Sequence, residues 1–196
     1  LDELFFCPDL LRQKFDNQEI IKLCAKKGIL VTELTSAVFK KISSLESPEG
    51  LVALAQQRIK CLEDYQIAEK SLKSTERKSK LSGVFIVVES IEKLGNLGSI
   101  FRLADNVGAE AVIVCDMRAD IFNPETIRSS VGAFFSITVL KSTTNATIEW
   151  CKKNKIKTLA TTPQASQVYT SVDLKHGSLA VVLGAEYSGL SKAWLE

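Results

Sequence analysis

Five short runs of apolar, largely β-branched residues recur from Val84 onward, alternating with stretches at helical spacing. No other feature constrains the fold as much. The runs are "VFIVVES", "AVIVCD", "FFSITVL", "KTLATT" and "LAVVLG". A strand with one wet face alternates apolar and polar residues, whereas these runs are continuous, which predicts strands buried on both faces of a parallel sheet. Between and after them, helices are predicted from Asn96, over "NPETIRSSVG", over "TNATIEWCKKNK" and over "SGLSKAWLE". The expectation is an α/β domain, doubly wound about a mostly parallel sheet. Ligands of such sheets gather at the C-terminal ends of strands, beside helix N-termini.

Before Val84 the alternation runs on a smaller scale. "NQEIIKLCAKKG" has helical spacing and ends on Gly28, a good C-terminal stop, after which "ILVTEL" reads as a strand. "TSAVFKKISS" opens with residues suited to capping a helix, and the turn "SPEG" leads into a further strand, "LVALA". From Cys61 to Lys80 the chain turns polar, and "KSLKSTERKSK" holds five Lys or Arg against one Glu. The predicted organisation is a small α/β domain over 1–60, a linker over 61–82 and the large domain over 83–196. The basic run reads either as a solvated tether or as a strip laid along RNA.

Composition narrows the function classes. With 45% hydrophobic and 24% charged residues, the 196-residue chain sits among globular proteins. A net charge of +2 neither announces nor excludes a nucleic-acid partner, since phosphate recognition needs a local basic patch. The five cysteines show no C-x-x-C pair, which reads as reduced thiols of a cytoplasmic protein. No run approaches a membrane span, so no membrane partner is expected. The single histidine, His176, gives little support to a metal site or a Ser–His–Asp triad. Trp150 and Trp194 are expected to pack in a core or an interface, and Phe134 and Phe135 in the core.

The chemistry concentrates in "GNLGSIFRLADNVGAEAVIVCD", residues 95–116. Ile100, Leu103, Ala104 and Val107 are predicted to form the buried stripe of its helix, with Ser99, Arg102 and Asn106 on a separate polar strip. Gly95 and Gly98 allow close approach, and Asn96 can cap or bridge the turn. The glycine spacing fits neither the dinucleotide fingerprint nor a phosphate loop. A plain glycine-rich turn followed by a surface arginine remains open on these residues alone. A second such turn, "LAVVLGAEYSGLSKAWLE", places Glu186 after a strand that ends on Gly184, with Gly189 just before a capped start at Ser188 or Ser191. Arg128, ahead of "SSVGAFF", reads equally as a salt-bridge partner or an RNA phosphate contact.

Together, "NLGSIFRLADNVGAEAVIV" and "VVLGAEYSGLS" resemble the first two motifs of the SpoU/TrmH family of SPOUT methyltransferases, and "IRSSVGAFFSI" resembles the segment between them. The resemblance runs from about Val84 to the end. It implies a knotted, Rossmann-like catalytic domain that methylates an RNA ribose 2′-hydroxyl with S-adenosylmethionine. By the same resemblance Arg102, Asn96 and Glu186 are the catalytic residues, and Thr161, Leu183, Gly184, Glu186 and Gly189 hold the cofactor. Asn96, Arg102 and Arg128 face the RNA, and no metal is implied. "LDELFFCPDLL", "ILVTELTSAVFKKIS" and "SPEGLVALA" look like the substrate-binding domain, related to RNA-binding ribosomal proteins, that precedes many of these catalytic domains.

The resemblance further implies a homodimer, and favours ribosomal RNA over tRNA as substrate; a non-catalytic RNA-binding relative is the alternative. It predicts an opening helix before Leu1 and a third motif, Ser-Leu-Asn, beyond Glu196. Leu94 stands where many relatives have Pro and Tyr187 where Gly is usual, so altered loop shapes are expected. For Arg102 two roles stand: general base, or bidentate phosphate anchor that orients the hydroxyl. Arginine side chains stay protonated in proteins, which sets a physical obstacle before the first. The second needs only a fixed cation.

Overall fold

The β-branched runs become the centre of a parallel sheet. The structure, a computed structural model, describes residues 1–11, 17–67, 81–172 and 177–196. It divides into two units, Leu1–Arg58 and Ile59–Glu196.

In the first unit, β1 (Glu3–Phe6) pairs parallel with β2 (Leu30–Glu33) and antiparallel with β3 (Leu51–Leu54), giving the order β2, β1, β3. Helix α1 (Asn17–Lys26) precedes β2, and Gly28 takes a positive φ of 71° just beyond it, the left-handed stop read from the sequence. Helix α2 (Ser36–Ile42) follows β2 and buries Phe39. At Gly50 a Cβ would sit 2.7 Å from the Leu11 backbone nitrogen, so the "SPEG" turn needs glycine for close approach as well as for its φ of 84°.

The second unit holds a six-stranded sheet in the order β4, β7, β6, β5, β9, β8, with every pairing parallel. Its strands are β4 (Lys60–Cys61), β5 (Leu81–Glu89), β6 (Ala111–Cys115), β7 (Val139–Ser142), β8 (Lys157–Ala160) and β9 (Gly177–Leu183). Alternate residues of the central strands feed two cores. Phe85, Val87, Ile113 and Val182 pack on one face, against Trp150 and Trp194. Ile86, Val88, Val112 and Val114 pack on the other, against Leu97 and Phe101. This is why the runs show no alternation in sequence: both faces are dry. Helices α3 (Leu94–Asn106) and α5 (Ala133–Ser136) serve the second core, α4 (Pro124–Ser129) docks on α3, and α6 (Thr144–Lys153) serves the first core. Among the described residues no helix is long and apolar enough to cross a membrane.

Four expectations change. The linker expected from 61 begins inside the second unit, because β4 pairs with β7 and Leu62 is buried in the core with Tyr65 and Ile67 packed beside it. Three apolar anchors within a polar stretch escaped a reading based on composition. The strand expected over "FFSITVL" starts only at Val139. Phe134 and Phe135 instead lie in α5, where Phe134 meets Phe101 at 5.3 Å while Phe135 is 73% exposed. The helix expected over "SGLSKAWLE" is a single 3-10 turn, Lys192–Trp194. On α3 the buried residues are Leu97, Gly98, Phe101 and Ala104, so of the expected stripe Leu103 and Val107 point outward. The basic run 70–80 and His176 lie outside the described residues.

Candidate active site

The site lies where β5 and β9, neighbours in the sheet, end together. From β5 the chain passes through Ser90–Lys93 into α3; from β9 it passes Gly184 into a tight loop. That loop is pinched at its base. Ala185 N donates to Gly189 O at 3.1 Å, and Gly189 N returns the bond to Ala185 O at 2.9 Å. Gly189 has a φ of 67°, which suits glycine. A Cβ on Gly184 would lie 2.5 Å from both the Gly189 oxygen and the Leu190 nitrogen. The bareness of Gly184, expected to admit the cofactor, is therefore used by the chain's own return.

Glu186 sits at the start of this loop and reaches back to the first motif. Asn96 Nδ2 donates to its Oε1 at 2.7 Å, and the Glu92 backbone N–H donates to Oε2 at 3.4 Å. Burial pushes the Glu186 carboxyl up. Hydrogen bonds from its own backbone N–H, the Asn96 amide and the Glu92 and Lys93 N–H groups outweigh burial and hold it below the ordinary carboxylate value. The carboxylate is thus ionised at neutral pH and directed at α3. Asn96 and Glu186, 90 residues apart in sequence, form one clasp.

Ser99, Arg102 and Asn106 all lie exposed on α3, the polar strip read from the sequence. Among the described residues no hydrogen bond or ion pair engages the Arg102 guanidinium. Gly98 has a different task from the one expected. A Cβ there would run into Ser129 Oγ and lie 2.7 Å from the Thr126 carbonyl oxygen, so this glycine lets α4 dock on α3. That contact also places exposed Arg128, on α4, beside the helix that carries Arg102.

Thr161 stands just beyond β8. Its backbone N–H and its hydroxyl both donate to Val182 O, at 3.0 and 2.8 Å, which ties it to β9 one residue before half-buried Leu183. Leu94 is the first residue of α3, and Tyr187 is 90% exposed at the tip of the pinched loop.

Sequence reasoning missed the far side of these strand ends. A cleft of about 660 Å³ opens there, lined by Glu89, Asp116, Arg118, Thr144 and Ser191, among others. Ser90 and Asp116, which end adjacent strands, both take positive φ, 53° and 48°. Arg118 pairs with Glu92 at 3.1 Å. The available signal was "VVES", an acid at the close of a dry strand.

A doubly wound parallel sheet with two loops clasped at its C-terminal edge defines an α/β protein of the ligand-binding class, its site built on strand ends. The chain belongs to the SpoU rRNA methylase family, whose model matches residues 83–196. It is 28% identical over 169 residues to the 23S rRNA (guanosine(2553)-2′-O)-methyltransferase RlmP of Bacillus subtilis, covering 86% of this chain and 61% of that one. A solved RNA 2′-O ribose methyltransferase superposes with a TM-score of 0.74 at 32% identity, over 100% of this chain and 68% of that one. The AdoMet-bound rRNA methyltransferase of Sinorhizobium meliloti shares the fold, with a TM-score of 0.78 at 24% identity over 97% of this chain and 66% of that one. The chain thus spans about two thirds of the length of these relatives.

Proposed function

We propose that the protein transfers a methyl group from S-adenosylmethionine to a ribose 2′-hydroxyl in RNA, ribosomal RNA rather than tRNA. The observation that carries this reading is the Asn96–Glu186 clasp, which joins the two motifs that the family resemblance marks as catalytic. The printed activities of RlmP and of the solved ribose methyltransferase support the choice of reaction.

The residues at the strand ends fit the cofactor. Half-buried Leu183 offers an apolar surface of the kind that packs against a nucleoside, and the hydrogen-bonded turns at Thr161 and Gly189 hold the backbone on either side of it in place. When bound, S-adenosylmethionine supplies a methyl group on a sulfonium, an electrophile towards an oxygen nucleophile. The chain's own residues supply position. Arg102 is exposed and unengaged, a cation with a planar fork of donors, which suits bidentate capture of the phosphate beside the target ribose. Arg102 would so orient the ribose hydroxyl, whose proton would leave to water or to a phosphate oxygen. Glu186, ionised and already bound by Asn96, keeps the second loop in place and has no proton to give at neutral pH. Arg128, carried by the helix docked on α3, is placed to take a second phosphate.

The reading extends to assembly. The first unit, 1–58, acts as the RNA substrate-binding domain, and the protein works as a cytoplasmic homodimer. Exposed Leu103 on α3 and Val107, the residue that caps its C-terminus, support the dimer as an apolar face left uncovered among the described residues.

The test uses the protein expressed from its complete reading frame, methyl-labelled S-adenosylmethionine and ribosomal RNA lacking its modifications. Alkali cannot cut after a 2′-O-methylated ribose, so label in alkali-resistant dinucleotides, lost in Arg102→Ala, is the expected result. Label confined to mononucleotides means base methylation. No label on ribosomal RNA or tRNA, with RNA binding retained, means a non-catalytic RNA-binding relative.

A further inference from the structure

Glu89 is the one buried carboxylate among the described residues, 5% exposed at the C-terminal end of β5. Among the described residues no salt bridge neutralises it. Its partners are three neutral donors. Thr144 Oγ1 donates to Oε1 at 2.6 Å, Ser191 Oγ to the same oxygen at 2.7 Å, and Ser191 N to Oε2 at 2.7 Å. A buried charge costs several kcal/mol in desolvation unless its lone pairs are met, so a carboxylate kept in such a place is held for its geometry.

That geometry leads to the site. Ser191 follows Gly189 by two residues, and Gly189 is bridged in both directions to Ala185, next to Glu186. The packing of Gly184 against Gly189 and Leu190 closes the same loop. Thr144, the first residue of α6, donates to the same Glu89 oxygen as the Ser191 hydroxyl and fixes the carboxylate from a second element. The loop has two anchors: Asn96 holds Glu186 at one end, and Glu89 holds Ser191 at the other.

We propose that Glu89 is a positioning residue, the buried acceptor that sets the Ala185–Ser191 loop and thereby the place of Glu186 against Asn96. Its effect on methyl transfer rests on the function proposed above; its effect on the loop does not. Glu89→Met is the informative change, because it keeps the length of the side chain and removes both acceptor oxygens, whereas a glutamine amide could still accept from the Ser191 N–H and donate to the two hydroxyls. Loss of a buried acceptor weakens such an anchor by about tenfold or more. Ser191→Ala, which keeps the backbone bond and removes only the hydroxyl, is the milder partner and guards against a variant that fails to fold.

The experiment is hydrogen exchange on the full-length protein, with labelled methyl transfer measured in parallel. Expected in Glu89→Met is about a tenfold or greater loss of protection over residues 185–191, with the amides of β5, β6 and β9 unchanged. Transfer should fall by a similar factor, and Ser191→Ala should move both readouts in the same direction by less. Unchanged loop exchange in Glu89→Met overturns the proposal, as does a uniform loss of protection across the sheet, which would make Glu89 a fold residue only. Should the unsubstituted protein transfer no methyl group, the functional reading fails while loop exchange still decides the role of Glu89.

Discussion

At the scale of single residues, the site separates groups that hold from groups that are held. Arg102 is exposed on α3, and in the function proposed above it holds RNA. If it grips a phosphate, Arg102→Ala should lower kcat/KM by roughly ten- to a hundredfold, the worth of a charge-assisted hydrogen bond. The slope of log affinity against log salt should also fall by about 0.7 to 1. Arg102→Lys should keep the salt slope but lose much of the rate, since a point charge lacks the planar fork. Rate loss in Lys with a reduced slope would contradict the anchoring role. Glu186 is held, and its chemistry gives a pH prediction. Its folded value lies below the ordinary 4.5, so the stabilisation from the clasp is complete above 4.5 and is lost as pH falls through the lowered value. The side-chain amide resonance of Asn96 should therefore stay constant from neutral pH down to the ordinary carboxylate range and shift only below it. A shift near neutrality would mean that Glu186 is not the group bound there.

At the scale of elements, α3 shows how far its sequence could be read and where that reading stopped. The helix itself, its polar strip and the strands flanking it follow from apolar periodicity, because each signal is carried by side chains that differ strongly in hydrophobicity. The buried face does not follow. Ile100, Leu103, Ala104 and Val107 make the more regular apolar pattern, yet the core takes Leu97, Gly98, Phe101 and Ala104. The reason is Gly98. It contributes nothing to a hydrophobic pattern, but its missing Cβ is what lets the Thr126–Ser129 turn of α4 lie against α3. Close packing decides the face, and packing depends on a partner that the sequence of α3 does not contain. The site divides the same way: the motifs marked Asn96 and Glu186, but Glu89 drew no attention because an acid ending a dry strand declares itself only through its folded partners. Gly98→Ala should then cost about 1 to 3 kcal/mol, read as a lowered midpoint in denaturant with an unchanged slope. Adding Ser129→Ala should recover only part of that loss, since the Thr126 carbonyl, 2.7 Å from the new methyl, belongs to the backbone and cannot turn aside.

At the scale of the whole molecule, the residues displaced from the expected core gain a purpose. Leu103, on the same helix as Arg102, and Val107, at its C-terminal cap, are 53% and 54% exposed, and no segment of the described chain covers them. A soluble monomer carries scattered apolar residues without consequence, but an exposed i, i+4 apolar pair is a surface that the proposed homodimer would bury. In an isologous contact each α3 presents the same face to its partner, so a change made once alters the interface twice. Placing a carboxylate at both positions brings like charges together across the axis and removes apolar area at once. In the homodimer proposed above, Leu103→Glu with Val107→Glu should thus shift sedimentation from dimer to monomer. The double variant should keep the thermal midpoint of the isolated fold at low concentration, because neither side chain contributes to the core of its own chain. Methyl transfer should fall with the dimer if the partner completes the site, and its rate per chain should then rise with protein concentration as the remaining association is driven back. A double variant that sediments like the unsubstituted protein would place the dimer contact elsewhere and leave this apolar pair as ordinary surface.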